Sequence, residues 1–207
     1  MIEPVARIRI ELRHLEPKIW RRVDVPLSTT LDMLHSIIQV AMRWRGGHLF
    51  EFRVGDKVYG EPCPEDDFEG YKVHKTTSVR LQNLVNRGVE RFLYVYDFGD
   101  DWQHDITIEA VFDGLADTEY PALVDGARRC PPDDVGSAHG FMDFLEAILD
   151  PAHEEHARML EWYGGPFDIL DFEERWVRLI LGSMAGRRRG GLAKSRSARR
   201  QADDAGR

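Results

Sequence analysis

The side chains best suited to chemistry are concentrated between Tyr96 and His104, where one glycine interrupts a run of rings and carboxylates. Several carboxylates beside an imidazole can raise one pKa for acid–base work or recruit a cation. Turn chemistry accounts for the aspartates equally well, since Asp side chains cap turn amides. The candidate site residues in this stretch are Tyr96, Asp97, Asp100, Asp101, Trp102 and His104.

Two strand-like runs flank this stretch and predict a β-hairpin. The bulky run Phe92–Tyr96 is typical of a strand, and the residues from Trp102 to Phe112 alternate between apolar and polar types. Gly99 lies at the bend, where we expect it to supply the positive φ of a tight or bulged turn.

Three further residues are candidates for the same binding surface. We expect Trp20 and His48 beside the hairpin, and Asp134 in a second acidic loop. Whether the acidic segments around Asp66, Asp100 and Asp134 converge is left open by the sequence. His35 falls on an apolar helical stripe and is interpreted as a core residue. The pair His153 and His156 is interpreted as part of a helix start rather than a metal site, because it lacks the His-Glu-x-x-His spacing.

Elements along the chain predict an α+β fold. It opens with a β-β-α-β sequence: strands over 6–12 and 19–25, a helix that begins after Thr29 or Thr30, and a strand over 48–54. A long excursion at 55–75 with one short strand follows, and then a short helix at 79–87. Together with the hairpin these strands form a mixed sheet. The last third is helical, with helices predicted from Ser137, from Pro151 and from about Asp168.

Composition indicates one domain at 1–185 and a disordered basic tail at 186–207. The tail carries eight basic residues against Asp203 and Asp204, which gives it a net charge of +6. The body then has a net charge of −14, since the whole chain has −8. Two cysteines, no signal peptide and no apolar run of about 20 residues predict a cytoplasmic protein without a membrane partner. Nucleic acid is an open alternative, through Arg7, Arg9, Arg13 and Arg21 and through Arg187, Arg188 and Arg189.

Common catalytic signatures are missing from the sequence. It contains no Gly-x-Ser-x-Gly elbow, no Walker-type phosphate loop and no Gly-x-Gly-x-x-Gly after a strand. No cofactor is therefore predicted, apart from a divalent metal as an alternative.

Five collinear motifs resemble one family. They are Pro17-x-Ile19-Trp20-Arg21-Arg22 with Val25-Pro26, Leu34-His35 through Gln39, Trp44 with His48-Leu49-x-Glu51-Phe52, Tyr96–Trp102 with His104, and Cys130-Pro131-Pro132-x-Asp134. The chain resembles the plasmid pRiA4b ORF-3-like family from about Arg7 to Leu181. The resemblance implies an α+β fold, an association with plasmids and mobile elements, and labels such as TnpR-type resolvase or insertion-element passenger protein.

The resolvase label does not agree with the residues, because a serine recombinase needs a nucleophilic serine among arginines near its N-terminus. The first serine here is Ser28, which precedes a helix. Our leading hypothesis is a non-catalytic binding or accessory module for a protein or small ligand. The alternatives are a metal-dependent enzyme that uses the acidic hairpin, and a DNA-associated accessory protein.

Overall fold

The strands that the structure describes all join one sheet. The computed structural model describes residues 3–62 and 72–205, with side chains described up to residue 191. Within these residues the sheet has eight strands in the order β5-β4-β3-β6-β7-β1-β2-β8, and only β4 and β5 pair in parallel. The strands are β1 Pro4–Leu12, β2 Trp20–Pro26, β3 Phe50–Val54, β4 Lys57–Gly60, β5 Val73–Lys75, β6 Arg91–Tyr96, β7 Trp102–Asp113 and β8 Ala122–Ala127.

Five helices accompany this sheet in the described part of the chain. They are α1 Leu31–Met42, α2 Leu81–Asn86, α3 Ser137–Leu149, α4 His156–Tyr163 and α5 Glu174–Ala205. The predicted α+β class, the β-β-α-β opening, the central hairpin and the helical last third are confirmed. Asp66 lies outside the described residues.

The alternation of β1 determines which face of the sheet is buried. Ile8, Ile10 and Leu12 are fully buried against the helices, whereas Arg7 and Arg9 lie on the opposite face, called the open face below. β1 pairs in antiparallel fashion with both β2 and β7, so it is an interior strand of the sheet. An alternation of apolar and polar residues with a period of two predicts a strand that buries one of its two sides.

Helix α1 covers the buried face. Thr30, and not Thr29, is its N-cap, because the Thr30 side chain accepts a hydrogen bond from Met33 N at 3.2 Å. The apolar stripe of α1 packs into the core, and the helix ends at Arg43, which has a φ of 69°. The chain then turns towards His48 and β3.

The helical last third differs from the prediction at its helix starts. α4 begins at His156 and not at Pro151, since residues 151–155 form turns. α5 begins at Glu174 because Asp168 and Asp171 accept hydrogen bonds from the amides two residues on, which favours turns over helix. Gly136, with a φ of 92°, precedes α3 where Ser137 was expected as the cap.

Two strands were not anticipated. β8 pairs with β2 at one edge of the sheet. Arg178 of α5 donates to the carbonyl of Leu123 in β8 at 2.6 Å, which covers part of this edge. The excursion at 55–75 contains β4 and β5 in place of the one short strand that was expected.

The backbone of α5 continues to Ala205, through most of the segment that the sequence analysis assigned to a disordered tail. Arg188 forms an ion pair with Glu3, and Arg189 forms one with Glu119 at 2.6 Å, so this segment contacts the body. The division at residue 185 stays a prediction. Within the described part of the chain, none of the helices has the length and apolar character needed to cross a membrane.

Candidate functional site

The turn between β6 and β7 is held by its own aspartates. Asp97 Oδ1 accepts hydrogen bonds from the amides of Gly99 at 2.9 Å and Asp100 at 3.3 Å, and the Asp101 amide donates to the Asp97 carbonyl at 2.7 Å. Asp97 and Asp101 adopt positive φ values of 57° and 54°. The prediction that Gly99 supplies the positive φ was therefore wrong, since Asp tolerates the left-handed region almost as glycine does.

His48 brings this turn together with the second acidic loop. Its Nδ1 lies 3.5 Å from Asp97 Oδ2, and its Nε2 lies 3.3 Å from Asp134 Oδ1. His48, Asp97 and Asp134 each offer one ligand atom, and these three atoms all lie within 4.8 Å of one another. We call these three residues the metal-ligand cluster.

A further hydrogen bond fixes the two loops relative to each other. Asp100 Oδ2 accepts from the amide of Gly136 at 3.1 Å. Asp134, with a φ of 63°, and Gly136 both have positive φ, which turns the loop back towards the hairpin. Asp100 therefore positions the loop that carries Asp134 and does not itself belong to the metal-ligand cluster.

Aromatic rings form the inner wall of the site. Tyr96 meets His48 edge-on with ring centroids 5.7 Å apart, and it stacks on Trp44 at 5.0 Å. Trp44 Nε1 donates to the carbonyl of Pro131 at 2.9 Å, so the ring is fixed between α1 and the Cys130-Pro131-Pro132 loop. This wall excludes water from one side of His48 and strengthens its electrostatic contacts.

Asp133 lies beside this wall. Its Oδ1 is 3.5 Å from the Tyr96 hydroxyl, and its Oδ2 accepts from the Arg45 amide at 3.4 Å. Burial, more than any neighbouring charge, raises the pKa of Asp133. Burial also raises the pKa of Tyr96 to about 12, with the charge of Asp133 as the next cause. The phenol is therefore a neutral hydrogen-bond donor at neutral pH.

The donor atoms of the metal-ligand cluster suit a transition metal. Three protein ligands is the number that catalytic zinc sites use when they leave a coordination position open, and the imidazole among them favours a transition metal. The Asp97 side chain is 12% exposed and that of Asp134 is 74% exposed. One wall of the cluster is therefore rigid and the other is open to ligand.

Two predicted residues lie behind the site, in the core. Trp102 is 2% exposed and His104 is fully buried. Trp44 contacts both rings, at 6.0 Å from Trp102 and 5.1 Å from His104. They support the aromatic wall and do not reach ligand themselves.

Asp101 and Trp20 lie apart from the metal-ligand cluster. Asp101 is exposed and accepts from Gln103 Nε2 at 2.7 Å. Trp20 lies on the open face, between the guanidinium groups of Arg9 at 4.1 Å and Arg22 at 5.2 Å. Trp20 was expected beside the hairpin with His48, but it lies on the opposite face of the sheet from the metal-ligand cluster, because Trp20 and the buried Arg21 point to opposite faces of β2.

The candidate nucleic-acid residues do not share one surface. Arg7, Arg9 and Arg13 form ion pairs with Asp24, Glu11 and Asp105 at 2.6 to 2.8 Å. Arg21 is fully buried on the other face and donates hydrogen bonds to the carbonyls of Ala41, Trp20 and Ala127, so it does not share a surface with Arg7, Arg9 and Arg13. Arg187 is exposed.

Three other histidines, His35, His153 and His156, make contacts within the fold. His35 stacks on Phe50 with centroids 3.5 Å apart, and its Nδ1 lies 2.7 Å from the Tyr94 hydroxyl. His153 Nδ1 accepts from the Glu155 amide at 3.1 Å, and His156 Nδ1 lies 3.0 Å from the Ala147 carbonyl. These contacts agree with the interpretation of the last two as parts of a helix start.

A cleft adjoins the metal-ligand cluster and was not predicted from the sequence. It encloses about 690 Å³, and Asp133 and Asp134 lie at one end. Its walls come from the loop after α1, the Cys130 loop, the end of α4 and the start of α5. Arg45, Trp162 and Tyr163 are among the lining residues. No periodic signal in the sequence links these distant segments, although Trp44 and the Cys-Pro-Pro run were noted as motifs.

Comparisons with known proteins agree with this architecture. A model of the plasmid pRiA4b ORF-3-like protein family matches residues 4–175. The chain is 41% identical over 164 residues to the uncharacterized protein y4hQ of Sinorhizobium fredii, covering 79% of this chain and 83% of that protein. It is also similar to the crystal structure of a protein of unknown function, MM3350, from Methanosarcina mazei Go1. That match has a TM-score of 0.77 and 30% identity, and it covers 85% of this chain and 97% of the other.

Proposed function

The chain belongs to the plasmid pRiA4b ORF-3-like family, and we propose that it is a non-catalytic binding module that holds a divalent metal ion. The ion binds to the metal-ligand cluster of His48, Asp97 and Asp134. The observation that carries this proposal is the approach of three ligand atoms from three separate segments to within 4.8 Å.

Zinc or a similar transition metal fits this donor set better than calcium does. Calcium takes six to eight oxygen ligands, whereas the cluster supplies one nitrogen and two carboxylates. A neutral imidazole has one N–H, so it can donate to only one of the two carboxylates that face its ring. A cation bound among these groups offsets the negative charge of the carboxylate that receives no hydrogen bond from the ring.

The thiol of Cys130, in the loop beside the aromatic wall, supports a binding role over nucleophilic catalysis. Cys130 is buried, and burial raises the pKa of its thiol to about 11 in spite of the nearby Arg21. Such a thiol carries almost no thiolate at neutral pH. The protein is therefore expected to bind ligand at the metal without forming a covalent intermediate on Cys130.

Metal content of full-length protein, purified without a metal-binding tag, tests the proposal. We expect near-stoichiometric zinc uptake in elemental analysis and in calorimetric titration with zinc, manganese and magnesium. His48→Gln and Asp134→Asn each remove one ligand and should weaken zinc binding at least tenfold. Affinity should also fall as pH falls, because the ligands must release protons.

An exposed pair elsewhere in the chain gives a matched control. His139 Nδ1 lies 3.7 Å from Asp143 Oδ1 on α3, and both side chains are well exposed. His139→Gln and Asp143→Asn should leave zinc binding unchanged. Absence of zinc from the wild type, or equal zinc in Asp134→Asn, would contradict the proposal.

A metal-dependent enzyme is the second candidate function. The observation that favours it is the 690 Å³ cleft at the metal-ligand cluster, since a metal with an open position beside a cleft can polarise a bound substrate. Hydrolysis of p-nitrophenyl esters or phosphates that requires zinc and disappears in Asp134→Asn would support this candidate. Turnover that is equal in the wild type and Asp134→Asn would contradict it.

A further inference from the structure

The cleft beside the metal-ligand cluster has the size of a small-molecule site. Its volume of about 690 Å³ falls within the range of pockets that enclose organic ligands. Asp134 belongs both to the metal-ligand cluster and to the cleft wall. A molecule in the cleft can therefore reach a metal ion bound at Asp134.

Aromatic side chains give the cleft a flat apolar wall. Trp162, Tyr163, Phe167 and Trp176 all line it. The Tyr163 and Phe167 rings meet edge-on at 5.2 Å, and Arg129 Nη1 donates to the Tyr163 hydroxyl at 3.0 Å. Trp162 is 47% exposed, so its ring is available to a ligand. Rings held in this way favour a planar molecule, because offset stacking adds to the apolar contact.

Three guanidinium groups line the cleft, and Arg45 differs from the other two in its partners. Arg43 is bound by Glu173 at 2.7 and 3.0 Å, and Arg129 lies 3.8 Å from the same carboxylate. Arg45 is exposed, and no carboxylate of the described residues lies within ion-pair distance of its guanidinium. A metal ion and this unpaired guanidinium together attract anionic oxygen atoms.

We infer that the cleft binds a planar organic anion whose charged oxygens complete the coordination of the metal ion and whose ring packs against Trp162. Arg45 binds the same anionic group. This inference rests on the proposed metal site and adds the class of molecule that the module holds.

Calorimetry of the zinc-loaded, full-length protein with 2-naphthoate tests the inference. Acetate supplies the carboxylate without the ring, and 2-naphthalenemethanol supplies the ring without the charge. We expect both to bind at least tenfold more weakly than 2-naphthoate. Trp162→Leu, Arg45→Gln and removal of zinc should each weaken 2-naphthoate binding at least tenfold.

Two substitutions outside the cleft serve as controls. Trp20→Leu removes an indole from the open face, and Arg87→Gln removes an exposed guanidinium after α2; both should leave 2-naphthoate binding unchanged. Zinc uptake by each variant is measured first. Normal zinc uptake with no 2-naphthoate binding, or with equal binding in Trp162→Leu, overturns this inference alone. Absence of zinc uptake by the wild type overturns the metal proposal itself.

Discussion

His104 is a buried base without a complete set of hydrogen-bond partners. Its Nδ1 donates to the Tyr94 carbonyl at 3.4 Å, and its Nε2 has no partner among the described residues. Burial lowers the pKa of His104 to about 3. Hydrogen bonds to backbone carbonyls raise the pKa, but their effect is weaker than that of burial. The imidazole of the folded protein therefore stays neutral at pH values far below the pH at which the imidazole of the unfolded chain takes up a proton.

We predict that His104 makes the protein sensitive to mild acid. Between pH 6.5 and pH 3 the unfolded state binds a proton that the folded state does not, so the free energy of unfolding falls as pH falls. From pH 7 to pH 5 this amounts to about 2 kcal/mol. In His104→Gln the loss over that interval should be smaller by about this amount, as measured by urea unfolding at both pH values.

His139 provides the comparison for this prediction, because its side chain is 88% exposed. His139→Gln should keep the pH dependence of the wild type. His35 acts in the same direction as His104, since burial lowers its pKa to about 4, and it accounts for part of the dependence that remains. An identical pH dependence in the wild type and His104→Gln would show that His104 is not the cause.

Arg21 and Arg22 are neighbours in sequence with opposite environments. Arg21 is fully buried, lies 4.3 Å over the Phe172 ring and donates to the carbonyls of Ala41, Trp20 and Ala127. Ala41 belongs to the last turn of α1, where the helix dipole favours a positive charge. These contacts explain how the core holds a guanidinium without a carboxylate partner.

We predict that Arg21→Ala destabilises the protein by about 3 kcal/mol or more, because it leaves buried carbonyl oxygens unpaired and creates a cavity. Arg22→Ala should cost less than about 1 kcal/mol, since Arg22 forms a partly exposed ion pair with Glu109. Urea unfolding of both variants measures the difference. Equal losses would mean that the buried hydrogen bonds of Arg21 contribute little.

At the scale of elements, local patterns predicted the framework well. Alternation in 6–12 and the stripe of α1 identify the sheet face and its covering helix, because each pattern reflects burial on one side. The helix starts after Asp150 and Asp168 were misplaced, since Asp side chains stabilise turns as readily as they cap helices. The edge strand β8 lies in a segment to which no strand was assigned, and it is recognised only through its pairing with β2.

The site was predicted less completely than the framework. The hairpin turn was identified by its residue types, and Asp97, His48 and Asp134 were all candidates. Their convergence depends on how β3, β6 and the 131–136 loop pair and pack, which no local pattern encodes. The cleft residues Arg45 and Trp162 come together only in the folded chain, so single-sequence periodicity had no signal for them.

Gly140 links α3 to the loop that carries Asp134. A Cβ at this position would lie 2.3 Å from the carbonyl oxygen of Val135, which is too close for any real contact. We predict that Gly140→Ala displaces the 134–136 loop and weakens zinc binding at least tenfold. It should also destabilise the protein, although glycine to alanine within a helix normally stabilises by up to about 1 kcal/mol.

Gly182 of α5 is the matched control for this prediction, since nothing lies within 4 Å of a Cβ built there. Gly182→Ala should leave zinc binding unchanged and raise the free energy of unfolding slightly. Calorimetric zinc titration and urea unfolding of both variants provide the measurements. Normal zinc binding by Gly140→Ala would show that the loop adjusts without moving Asp134.

At the scale of the whole molecule, charge is arranged in local pairs. The open face carries Arg7, Arg9, Arg13 and Arg22, and each of them forms an ion pair with a carboxylate of the sheet. The chain as a whole has a net charge of −8. A surface whose cations are already paired on an acidic body attracts a phosphate backbone weakly, because its positive charges have little counterion-release energy left to gain.

Residues 192–207 form the remaining basic segment of the sequence. It contains Lys194, Arg196, Arg199, Arg200 and Arg207 against two aspartates. Arg188 and Arg189 precede this segment and form ion pairs with Glu3 and Glu119, so they stabilise the body of the protein. Deletion of residues 192–207 therefore removes the basic residues of this segment and keeps the ion pairs of Arg188 and Arg189.

We predict that the protein binds a fluorescent 20-base-pair DNA duplex weakly at 150 mM salt, with a Kd above about 10 μM, as for non-specific electrostatic contacts. At 50 mM salt, deletion of residues 192–207 should reduce what binding there is, whereas Arg9→Gln on the open face should not, since Arg9 is paired with Glu11. Fluorescence anisotropy over a salt series measures both effects. A Kd below 1 μM at 150 mM salt, with a steep salt dependence that Arg9→Gln reduces, would instead favour the DNA-associated alternative, because the open face would then exchange its internal ion pairs for phosphate contacts.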